Sequence, residues 1–204
     1  MKRFYVLAAL LCLLLSGCSG ITVNIATTPT AGTSNATTPT ASTNASTTAP
    51  KWGVQAKTSG CVVNGPLQDT QCSPGDIFPN VTKEQICKSG YASSVRNVPT
   101  SVKNKVYAEY GITHHTTGQY EVDHLVSLEL GGSNDISNLW PEAASPKPGF
   151  HEKDKVENYL HSQVCSGAVS LQQAQIEIAT NWLTVYNQMP SSSKSSSGGS
   201  DGQP

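Results

Sequence analysis

Residues 121–161 read EVDHLVSLELGGSNDISNLWPEAASPKPGFHEKDKVENYLH, and the fold depends on how this stretch divides into elements. From 120 to 130 the residues alternate. Tyr120, Val122, His124, Val126, Leu128 and Leu130 fall on one side of an extended chain, with Glu121, Asp123, Ser127 and Glu129 among those on the other. A single regular strand over this length buries His124 as a hydrogen-bonded core histidine. Gly131-Gly132 then interrupts the strand pattern, and Asn138-Leu139-Trp140 follows the break. From His151 the pattern becomes helical, with Val156, Tyr159, Leu160 and Val164 as its buried face. Successive strand residues point to opposite faces, so Asp123 and His124 converge on one reacting group only if the strand ends or bends at His124.

Outward from this centre the signals are helical. Thr82-Lys83-Glu84-Gln85 forms a capping box before a short helix that ends near Cys87, with Gly90 as a stop. Residues 101–110 place Val102, Val106, Tyr107 and Tyr110 on one face and end at Gly111. Ser170 and Gln173 make a second capping box, opening a helix whose apolar stripe is Leu171, Ala174, Ile178, Trp182 and Val185. Pro74-Gly75 and residues 111–118 read as turns or loops.

The ends of the chain are not domain material. Lys2-Arg3, an apolar run over 5–15 and the small-residue end Leu15-Ser16-Gly17-Cys18 make residues 1–17 a secretory leader too short to span a bilayer as a stable helix. The LSGC end resembles the bacterial lipobox, which implies cleavage before Cys18 and lipid on its thiol. The protein is then expected to be exported and anchored on the extracytoplasmic face of the cell membrane or on the outer membrane. Residues 18–50 are a Thr/Ser/Pro-rich tether in which 26–35 (ATTPTAGTSN) nearly repeats as 36–45 (ATTPTASTNA), and 190–204 is a Ser/Gly tail. That leaves one folded domain over 51–189.

Charge restrains the choice of partner. Of the 13 Lys and Arg side chains, Lys2 and Arg3 lie in the leader, leaving 11 against 14 acidic ones, and Arg96 is then the sole arginine. This balance argues against tight, phosphate-neutralising binding to nucleic acid. Cys61, Cys72, Cys87 and Cys165 are an even set in an exported domain and predict two disulfides. Three connectivities exist, and the short segment between Cys72 and Cys87 favours joining those two, leaving Cys61 for Cys165. A zinc site is the weaker rival, because no pair has CxxC spacing.

Taken together, Asp123-His124, the Gly-Gly-Ser-Asn-Asp turn, Asn138-Leu139 and a histidine heading a lysine-containing helix resemble the ββα-metal nuclease family called HNH. The wider run from 72 to 185 is similar to secreted bacterial members of that group. The resemblance implies an α+β fold, a small disulfide-stapled domain with a ββα-metal core and additional helices. It also implies an endonuclease hydrolysing nucleic-acid phosphodiesters, DNA foremost. His124 is the implied general base and Asn138 the residue that holds its loop. Asp123 and His151 are the implied ligands of a divalent cation, Mg2+ first, with Mn2+, Zn2+ or Ni2+ as alternatives. Arg96, Lys153 and Lys155 are candidate phosphate contacts. These residue types suit the chemistry: a cation stabilises charge on the phosphoryl and leaving oxygens while an imidazole, neutral near pH 7, takes a proton from water. The linker over 143–150 is longer than a minimal hairpin-to-helix connection, which leaves Asp154 or Glu142 as alternative ligands. Two other readings stand beside this one: a non-catalytic surface lipoprotein that binds a partner or the cell wall, and a metal-dependent hydrolase of another ester.

Overall fold

The computed structural model describes residues 49–195; the leader, Cys18, nearly all of the tether and the last residues of the tail lie outside them. The chain is α+β. Two strands, β1 (Tyr120–His124) and β2 (Leu139–Ala143), pair antiparallel with Asp123 opposite Trp140 and His124 opposite Leu139. The helices are α1 (Lys83–Ile86), α2 (Tyr91–Val95), α3 (Thr100–Glu109), α4 (Phe150–Ser166), α5 (Leu171–Gln188) and α6 (Ser191–Ser195).

Two strands alone are marginal in water, so the hairpin depends on what covers its faces. Val122 and Leu139 pack with Val106 of α3 in one apolar cluster. Behind the hairpin, Trp140 joins Val156, Leu160 and Val164 of α4 and Ile178 and Trp182 of α5 in the main core. The long alternating strand expected from the sequence is cut short. β1 stops at His124, and Leu125, Val126 and Leu130 enter the main core from the connecting loop. Glu121 and Asp123, assigned by alternation to the polar side, are 5% and 8% exposed, because α4 covers that face as well.

Local capping signals have structural counterparts. Thr82 caps α1 with a reciprocal bond to Gln85, and the Ser170 hydroxyl accepts from the Gln173 N–H at the head of α5. Gly90, read as a helix stop, instead takes a left-handed conformation at the N-terminus of α2. The hairpin loop needs both its glycines: Gly131 has φ +77°, and a Cβ on Gly132 would lie 1.7 Å from the Val126 carbonyl oxygen.

The disulfides are Cys61–Cys72 and Cys87–Cys165, which corrects the expected pairing of Cys72 with Cys87. The segment leaving Cys72 does not double back. It runs along the hairpin loop, with the Gly75 N–H donating to the Ser137 carbonyl and the Phe78 N–H to that of Gly131, and α1 then delivers Cys87 to the C-terminal end of α4. Two disulfides fit an oxidising compartment. Among the described residues no helix is long and apolar enough to cross a membrane.

Candidate active site

The period-2 geometry of β1 sends Asp123 and His124 in opposite directions. His124 points toward α3, where it borders a depression of about 460 Å³ whose wall includes Arg96, Asn97, Lys103 and Val122. Its Nε2 lies 3.2 Å from Asn134 Oδ1. The orientation of that amide follows from its other bonds: Nδ2 donates to the Val95 carbonyl at 2.8 Å, and Oδ1 accepts from the Asn97 N–H at 3.0 Å. Nε2 therefore carries the ring proton and donates it to Asn134, and Nδ1 keeps the lone pair. Burial pushes the imidazole down to about 4, against the pull of the Asp123 carboxylate, so the ring is neutral at pH 7.

The loop that follows His124 is held by Asn138, which is fully buried. Its Nδ2 donates to the carbonyls of Val126 and Ser133, and its Oδ1 accepts from the N–H groups of Val126 and Asp76. One side chain thus closes the hairpin loop from within and fixes where His124 leaves the strand.

Asp123 points the other way, into a buried group of charges beneath α4. The Lys153 ammonium, with no exposed side-chain surface, donates to Asp123 Oδ2 at 2.6 Å, to the His124 carbonyl at 2.8 Å and to Glu157 one turn along α4. Asp123 Oδ1 accepts from the His124 N–H at 2.8 Å. Burial opposes ionisation of Asp123, but Lys153 outweighs it and holds the carboxyl below its usual range. Burial would likewise pull Lys153 down, and Asp123 and Glu157 reverse this. Burial raises the carboxyls of Glu142 and Glu157 well above the ordinary value despite Lys153, with the Asp123 charge adding to the rise. Glu121 is pushed up to about 8 by burial and by Asp123 and Asp154. Asp123 is thus favoured as the charged partner of the ammonium, while burial disfavours ionisation of the surrounding glutamates.

Several residues singled out in the sequence stand apart from this arrangement. His151 sits on the first turn of α4 with its side chain 62% exposed, its ring against Phe150 and its Nδ1 4.0 Å from Asp154 Oδ2. Of the two implied ligands, Asp123 is engaged by the buried Lys153 ammonium and His151 neighbours Asp154. Among the described residues, the trio with potential ligand atoms all within 4.8 Å of one another is Cys87, His161 and Cys165, whose two sulfurs are already joined. Lys153, a candidate phosphate contact, is enclosed and cannot reach a substrate in this arrangement. Lys155 borders a different depression, with Asn158 and Ser162. Arg96 lines the same depression as His124. Sequence reasoning missed Asn134 as the partner of His124, although it lies in the quoted Gly-Gly-Ser-Asn-Asp turn. It also missed Lys103, which α3 brings in from a distance with no local signal. His161 is tied into the fold: its Nε2 is 3.1 Å from the Ile86 carbonyl oxygen and 3.4 Å from Cys165 Sγ.

No family model matches the chain, and no curated protein and no solved structure matches it either.

Proposed function

We propose that this chain is a hydrolase of phosphodiesters, with nucleic acid as its substrate and His124 as its general base. The observation that carries the reading is the state of the imidazole. It is buried and neutral, its Nε2 proton is tied to Asn134, and the residue borders a depression flanked by Arg96 and Lys103. In the reaction Nδ1 takes a proton from water, the hydroxide oxygen bonds to phosphorus in line with the leaving group, and the P–O3′ bond breaks. The leaving 3′ oxygen takes a proton from solvent, and the imidazolium returns its own to solvent. Arg96 offers charge-assisted hydrogen bonds to the non-bridging oxygens as their charge grows. Asn134 keeps the tautomer, and Asn138 keeps the loop that carries His124. No step is assigned to a cation at Asp123 and His151, since Asp123 is engaged by the Lys153 ammonium.

The site is proposed to work outside the cytoplasm, held at a membrane surface through lipid on Cys18 and the tether; Cys18→Ala releasing the protein from the membrane fraction is the corresponding test. The deciding experiment is nicking of plasmid DNA by the purified mature chain, with and without a chelator, beside His124→Ala. The variant should fold and lose about 10² to 10⁴-fold in rate, the usual worth of a general base. Unchanged cleavage by a folded His124→Ala removes the assignment.

A further inference from the structure

The HNH resemblance calls for a divalent cation at Asp123, and the structure puts a side chain there instead. We infer that the Lys153 ammonium is the resident cation of this site, holding the backbone of His124 in place and excluding a divalent cation from Asp123. The inference rests on the hydrolase reading for its meaning but not for its test.

The geometry is closed. An ammonium has three hydrogens, and Lys153 spends them on Asp123 Oδ2, the His124 carbonyl oxygen and Glu157. The second oxygen of Asp123 accepts from the N–H of His124. The Lys153–Asp123 pair therefore grips His124 by both its backbone groups, the carbonyl through the ammonium and the N–H through the carboxylate. His124 does not contact Lys153 through its ring, so Lys153 is a positioning residue that acts through the strand end. Glu157, four residues on along α4, gives the ammonium a second carboxyl partner on the same helix face.

A divalent cation taking Asp123 Oδ2 would have to expel this ammonium. The side chain is fully enclosed, so displacement would leave a charged group buried without its partner, a state that costs several kcal/mol. Removing the lysine has the opposite effect. It leaves Asp123, Glu157 and the His124 carbonyl facing one lysine-sized space, an all-oxygen set suited to a hard cation.

Manganese is the probe, followed by calorimetry and by the electron paramagnetic resonance of bound Mn2+, on the full mature chain. Wild type and Asp123→Asn should give the same Mn2+ isotherm, whereas Lys153→Met should bind one Mn2+ about tenfold or more tighter than wild type. Adding Asp123→Asn to Lys153→Met should abolish the gain. In parallel, an amine-reactive reagent followed by mass spectrometry should modify Lys153 of the wild type roughly 100-fold more slowly than exposed lysines such as Lys147, equally with and without Mn2+. If Lys153→Met does not fold, the two wild-type measurements decide. The inference is overturned if wild type binds one Mn2+ that Asp123→Asn removes, or if Mn2+ exposes Lys153 to the reagent. None of these readouts requires turnover. A chain that passes them and cleaves no phosphodiester loses the hydrolase reading and keeps its internal cation; one that cleaves and fails them does the reverse.

Discussion

The two faces of β1 are built from neighbouring residues and have opposite physical characters. On one side Val122 and His124 look toward α3 and a cavity with cationic walls; on the other Glu121 and Asp123 look into α4 and a buried assembly of carboxyls around one ammonium. The first face keeps a neutral imidazole, itself buried, at the border of that depression. The second excludes solvent, and its charges are worth having only as a set, because each is costly to bury alone. The strand therefore separates a neutral imidazole from a buried ion pair by a single residue step. The link between them is the backbone of His124.

The sharpest way to break this contrast is Asp123→Ala, which leaves Lys153 buried with its main counter-charge gone. Stability should fall by about 3 to 5 kcal/mol, read as a lower urea midpoint with the slope unchanged. A loss below about 1 kcal/mol would mean that the face is wetter than its burial indicates.

The face toward α3 is tested by pH. A base held down to about 4 stays deprotonated well below the ordinary histidine value of 6.5. The cleavage rate of the proposed hydrolase should therefore hold level from neutrality to about pH 5 and fall tenfold per unit only beneath about 4. An acid limb near 6.5 would show that His124 is solvated or is not the base.

Glu121 lies at the edge of the closed face, and its sign is opposite to that of a salt-bridged acid. Its carboxyl is raised in the folded state, so its contribution to stability is complete below the ordinary value of 4.5 and is lost as pH rises toward about 8. Glu121→Gln cannot ionise. The melting temperature of the variant relative to wild type should climb between pH 5 and 8 and level off above, and a flat difference would contradict the burial of this acid.

The smallest effect is expected at His151, outside both faces. His151→Ala should change stability by less than about 0.5 kcal/mol, as exposed substitutions do, and leave Mn2+ binding unaltered. Loss of one bound Mn2+ would restore this residue as a ligand.

The amino-acid sequence by itself determined what is local. Thr82 and Ser170 announce α1 and α5 because a capping hydroxyl and its N–H partner are three residues apart, and the stripe Ala174, Ile178, Trp182 and Val185 gives the buried face of α5 because helix geometry repeats over the same few residues. Gly131-Gly132 marks the hairpin loop because its backbone leaves no room for a Cβ. Period 2 also dictated that Asp123 and His124 part company, but it carries no information on what each side packs against. That depended on α3 and α4, whose positions are settled by packing of the whole core. So did the end of β1: residues 125–130 continue an apolar pattern that suits a strand, yet Leu125, Val126 and Leu130 bury more effectively against α4 and α5 from a loop. The disulfide partners, the meeting of Asn134 with His124 and the path of Lys153 into the interior are likewise contacts across 10 to 78 residues of chain. Charge taught the opposite of what its surface habit suggests, since a lysine on an exposed helix would point to water. Only the tertiary structure, by placing Asp123 and Glu157 around it, made the interior the better solvent for Lys153.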